Sequence, residues 1–265
     1  MFQKIFEEEE LPLADLQKIG LAGNGHLNLN EKDLTALLSG NRTGMLRLEN
    51  IETDGLRIPA LDAKLSLRPN TAGNLDLLVH PIYREADIPD YLTDTEAEEL
   101  EQGEIANVGK TINDHGVQKE VLIEFDPDTR EFIITDTEKI LVPDMVNDEL
   151  LTLDQKERYR KGKEVQLQDG TAFRFSATSE DAVRANKIGL IVSVVLDGGI
   201  SYILFKGLNA LFNKKRDEKD AADLSTGYLK AKMDLDELQT HKGHDINSRP
   251  PGQYHRGYTY PSPRR

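Results

Sequence analysis

Few stretches of this chain combine residue types in spacings that could do chemistry. "HKGHD" sets His241, His244 and Asp245 at i, i+3 and i+4, where a helix would turn them toward one metal ion, but no Glu intervenes and Gly243 sits between them. It reads as a solvated linker. "GLAGNG", Gly20 to Gly25, has the glycines of a phosphate loop without the preceding strand or the Lys-Ser/Thr pair, so it reads as a helix stop and turn. "DPDTRE", Asp126 to Glu131, opens like a calcium loop but lacks the Gly at position six and the Glu at position twelve, and Pro127 presets a hairpin turn instead. His80 in "LLVHPI" and the pair Asp114-His115 in "NDHG" are the candidate general bases. Neither has a Ser, Thr or carboxylate partner at a spacing that suggests a mechanism, so a strand histidine and a turn are the expected roles. We therefore expect no enzyme and no cofactor, and assign no catalytic, cofactor-binding or metal-ligating residue.

Composition narrows the class further. The chain of 265 residues is long enough for one large or two small domains, with 38% apolar and 30% charged residues. Its net charge is -14, and the last twenty residues, "INSRPPGQYHRGYTYPSPRR", hold four Arg and no acid, which leaves -18 to the rest. Such a body repels polyanions. The tail residues Arg249, Arg256, Arg264 and Arg265 are the nucleic-acid candidates, since Arg and Tyr together can stack on single-stranded bases. Zero Cys excludes disulfides and thiolate chemistry, and "MFQKIFEEEELP" lacks the apolar core of a signal peptide. The expected location is the cytoplasm, with attachment to the inner membrane as the alternative.

The elements that must position any site follow from a weak repeat. Leu29 to Gly40, Leu92 to Gly103 and Leu151 to Gly162 each begin with Leu and end with Gly, offset by 63 and 59 residues. Asn30, Thr93 and Thr152 are N-cap types, with Glu or Gln three residues on in the last two, so each window predicts a helix of about three turns stopped by its Gly. Alternating or turn-bounded apolar stretches come next: "MLRLENIE", "DAKLSLRP", "NLDLLVHPIYRE", "VLIEFDPDTREFIITD" and "EVQLQDGTAFRF". "LADLQKIG" adds a leading helix, and the Pro in "IPALDAKL" restricts its strand to an edge or a start. The fold class is α+β: repeated helix-plus-antiparallel-hairpin units, then a hydrophobic helical segment and a disordered tail. Boundaries fall at 1–10 for an acidic lead, 11–178 for the body, 187–212 for the hydrophobic segment and 213–265 for a charged linker and basic tail.

The segment "KIGLIVSVVLDGGISYILFKGLNALF" is unlike the rest. Eleven Ile, Leu, Val or Phe between 188 and 205 favour membrane insertion by about 3 to 7 kcal/mol, against about 2.5 to 3.5 for the central Asp197. As a helix it would align Gly189, Ser193, Asp197 and Ser201 in one small polar stripe suited to association. Asp197-Gly198-Gly199 is equally a turn signal, which would split the run into two short helices or strands packed on the body. Membrane insertion, a buried helical hairpin and a docking surface for a protein partner or a second copy are the three readings. Gly189, Ser193, Leu196, Asp197, Gly198, Gly199 and Ser201 are the membrane or assembly residues.

In order, "LADLQKIG", "LTALLSGNRT", "LDAKLSLR", "LLVHPIYRE", "IEFDPDTREFIITDTEKILVPD" and "LTLDQKERYRKGKEVQLQDGTAF" span residues 11 to 178. This motif order resembles an uncharacterised Bacteroidota family of the DUF3945 and DUF4099 type, whose members are often carried on conjugative or other mobile elements. The resemblance implies a genomic setting and carries no site residues. The function expected is a non-enzymatic adaptor or scaffold, localised or assembled through its hydrophobic segment, with accessory nucleic-acid binding by the tail as the alternative.

Overall fold

Each Leu-to-Gly window opens a unit of one kind, a short helix leading a three-stranded antiparallel sheet. The structure, a computed structural model, describes residues 5–23, 26–53, 56–187, 189–196, 199–206 and 224–246. A lead-in comes first: α1 (Leu13–Lys18), then the paired two-residue strands β1 (Ala22–Gly23) and β2 (His26–Leu27). Unit one is α2 (Glu31–Leu38) with β3 (Leu46–Thr53), β4 (Leu56–Pro69) and β5 (Leu75–Pro81). Unit two is α3 (Asp94–Glu101) with β6 (Val108–Asp114), β7 (Val117–Asp126) and β8 (Glu131–Asp136). The short pair β9 (Met145–Val146) and β10 (Glu149–Leu150) precedes unit three, which is α4 (Leu153–Arg160) with β11 (Val165–Gln166), β12 (Ala172–Phe175) and β13 (Val183–Ala185). Strands β14 (Gly189–Leu196) and β15 (Gly199–Lys206) and helix α5 (Thr226–Ile246) follow.

The local signals act as the residue types require. Asn30, Thr93 and Thr152 each accept from the backbone N–H three residues on, and Thr93 and Thr152 form full capping boxes with Glu96 and Gln155. Gly40, Gly103 and Gly162 take φ of 73, 68 and 64°, the left-handed stop. Gly162 is also a close-approach position, since a Cβ there would lie 2.6 Å from the Leu122 side chain. The three helices have eight residues each, nearer two turns than three. Pro59 sits inside β4, the middle strand of its sheet, but only residues 63–69 of β4 also pair with β5. Pro59 thus occupies the half with a neighbour on one side, where a missing N–H is tolerated.

Packing joins the units through β7. Val121 and Ile123 enter the core of unit two with Leu92, Ala97 and Leu100, while Leu122 enters the core of unit three with Phe173, Val165 and Tyr159. A strand covered on both faces has no polar face to show, which is why "VLIEF" does not alternate. Unit one keeps its own core, with Leu16, Leu37, Leu38, Leu48 and Leu65 fully buried.

The apolar run departs from the helical expectation. Gly189 to Leu196 and Gly199 to Lys206 are antiparallel strands in register from Gly189↔Lys206 to Leu196↔Gly199, and no helix among the described residues is long and apolar enough to cross a membrane. Hydropathy measures apolar length but not conformation; Ile191, Val192, Val194, Val195, Ile200 and Ile203 are β-branched and favour extended backbone. The register leaves the two-residue connection that an Asp-Gly signal predicts, although Asp197 and Gly198 lie outside the described residues. The region expected as charged linker likewise contains a 21-residue helix, α5.

Candidate functional site

Two places gather the residues of interest. The first is the sheet β10-β9-β14-β15, in which the apolar hairpin joins the body. Along β14, Leu190 and Val192 enter the core of unit three, whereas Gly189 belongs to the opposite face, against α5. A Cβ on Gly189 would lie 2.8 Å from the ring of Tyr228 and 2.9 Å from Leu224. Gly189 therefore does admit a close helix, but one from its own chain. Ser193 is buried as well. By register Ser201 stands opposite Val194, one position out of step with Gly189 and Ser193, so the stripe that a helix would have made is dispersed.

Asn147 clasps this region. In the left-handed conformation (φ 54°) and 2% exposed, it donates from Nδ2 to Asp169 at 3.1 Å and Ser225 Oγ at 3.1 Å, while its Oδ1 accepts from the Ile191 N–H at 3.2 Å. Ser225 in turn accepts from the Tyr228 N–H at 3.0 Å, capping the start of α5, and Lys230 pairs with Asp148. Burial pushes the Asp169 carboxyl up, but bonds from Ser225, Thr171 and Asn147 outweigh it and hold it below the ordinary range.

The second place is the seam between units one and two. Lys64, 4% exposed, donates to both oxygens of the fully buried Asp126 at 2.9 Å and pairs with Asp128 at 2.9 Å. Arg42 donates to Glu131 Oε2 at 2.8 Å. Beside them Ser66 Oγ lies 2.8 Å from His80 Nε2, and His80 Nδ1 lies 3.3 Å from Glu131 Oε1. Burial works to raise the Glu131 carboxyl; the His80 bond and the Arg42 charge outweigh it and bring it down to about 2. A cavity of about 460 Å³ opens next to the seam, with Ser66 and Arg42 on its wall among Phe6, Leu67, Ile133 and Phe175.

Sequence reasoning selected His80 and missed its partners. Ser66 was within reach: Asn70 to Asn74 forms the turn between β4 and β5, and the register Lys64↔His80 that follows makes Ser66 the diagonal neighbour of His80. Glu131 had no such signal, because it arrives from another sheet. Asp126 to Glu131 does form the expected hairpin turn, while Asp126, Asp128 and Glu131 serve the seam. Asp114 closes β6 opposite Val117, and His115 and Gly116 form the turn, at φ 52 and 89°. His241, His244 and Asp245 fall in α5, and Arg249, Arg256, Arg264 and Arg265 lie outside the described residues.

The architecture is thus that of an α+β protein of helix-led antiparallel sheets. Residues 6–90, the lead-in and unit one, match a family described as "Protein of unknown function (DUF4099)". The match ends just before the window that opens unit two and leaves the later residues of the expected resemblance outside it. No curated protein and no solved structure matches the chain.

Proposed function

We propose that this protein is an adaptor that assembles by pairing the edge strand β15 with β15 of a second copy. The observation that supports this reading is the strand order: β15 ends the sheet, eight residues long, with no strand on its outer side among the described residues. Such an edge presents a row of main-chain donors and acceptors suited to another strand. The body carries strong negative charge that opposes contact between copies, whereas "GISYILFK" holds a single Lys and no acid. In a full antiparallel register about a two-fold axis, each Lys206 stands opposite Gly199 of the second copy, so no like charges meet. The resemblance to a Bacteroidota family carried on mobile elements suggests the setting, in which the assembled adaptor would serve element-encoded machinery.

Sedimentation velocity of the full chain tests this. The wild type is expected as a dimer and S201K/L204K, which sets Lys against Lys in that register, as a monomer. A wild type that stays monomeric across a concentration series overturns the reading, and co-sedimentation of that monomer with lipid vesicles would assign the hairpin to a membrane surface instead.

A further inference from the structure

We infer that Ser66 is an activated nucleophile, oriented for acyl transfer by His80 and Glu131, and that the adjoining cavity takes a carboxylic ester with an apolar acyl group. This goes beyond the assembly reading and does not depend on it. The direction of the hydrogen bonds carries the inference. Glu131 is ionised at neutral pH and can only accept, so the His80 nitrogen facing it, Nδ1, holds the proton. In the neutral ring Nε2 is then the acceptor, and the Ser66 hydroxyl at 2.8 Å is its donor. Serine to imidazole to carboxylate is the polar sense that a general base needs in order to take a hydroxyl proton. The three side chains come from β4, β5 and the start of β8, so the arrangement rests on sheet backbone rather than on a loop.

Ser66 is half-buried and lies on the wall of the 460 Å³ cavity, a volume in the range of small-ligand sites, and the surrounding side chains are mostly apolar. Arg42, which also donates to Glu131, is one of three cationic residues on that wall with Lys32 and Lys139, and these are suited to charge developing on a carbonyl oxygen. In the step proposed, Ser66 Oγ bonds to the acyl carbon while its proton passes to His80 Nε2. The alcohol leaves with that proton, and water then releases the acid by the reverse sequence. Ser66 and His80 act on the substrate; Glu131 acts through His80 and is a positioning residue.

The test uses the full-length protein and an alkyl fluorophosphonate, with the modified residue located by peptide mass. Covalent labelling at Ser66 is expected in the folded wild type and absent in S66A. Loss of the general base in H80N should slow labelling by about 10²- to 10⁴-fold. E131Q should slow it and E131D recover part of the rate, a rescue that a purely structural carboxylate would not produce in a labelling rate. An unlabelled folded wild type overturns the inference, a result that needs no variant to fold. Labelling that persists in S66A, or that is unchanged in H80N, overturns it as well.

Discussion

The seam between units one and two is ionic, while the seam that joins the hairpin to unit three is apolar with one polar clasp. Lys64, Asp126, Arg42 and Glu131 hold the first by charge-assisted bonds among groups that are largely out of water. Leu190 and Val192 hold the second by burial beside Phe173 and Tyr159, and Asn147 bonds to strand, body and helix at once. The difference lies in what each seam tolerates. A buried ion pair contributes little beyond its desolvation cost yet punishes the loss of one partner, so it specifies which surfaces meet more than it stabilises them. Apolar burial tolerates changes of identity but not of volume.

The sharpest way to break that contrast is Lys64→Ala. It leaves Asp126 buried without its main cation, and the expected loss is about 3 to 5 kcal/mol in urea unfolding. The pair change K64M/D126L should recover much of that loss; if it does not, the seam depends on its charges for more than specificity. Gly189→Val probes the apolar side. Its side chain meets Tyr228 and Leu224, and overpacking should cost about 1 to 3 kcal/mol, with α5 losing amide protection before the body does.

The smallest expected effect is a pH dependence confined to the ionic seam. The Glu131 carboxyl is held at about 2 when folded against an ordinary 4.5, so its contribution is fully present above 4.5 and is lost as pH falls from 4.5 toward 2. E131Q should flatten that part of the stability curve. Glu124 opposes it: burial raises its carboxyl despite the Ala177 N–H and Arg174, so its contribution is lost as pH rises through the folded value. Subtracting the E131Q curve from that of the wild type isolates the seam.

How much of this was legible follows the range of the forces. The three capped helices, their Gly stops, the hairpin turn at Asp126 to Glu131 and the Asp169-Gly170 turn were readable, because each rests on bonds formed within a few residues. The hairpin at 189–206 was half legible. Its Asp-Gly centre marked a turn between two short helices or strands, while hydropathy summed over the same residues suggested a membrane helix. Within the ionic seam only His80 stood out, since Asp126 and Glu131 had a local turn to explain them.

From its own order of residues, then, the chain determined a thrice-repeated scheme of capped helix and antiparallel sheet, since capping, left-handed stops and turn preferences are local properties of the backbone. Tertiary structure alone decided that Ser66 and Glu131 should flank His80, that Lys64 should meet Asp126, and that Gly189 should face Tyr228. Those pairings join different strands, sheets or helices, and sequence spacing does not encode the distance between surfaces until packing brings them together.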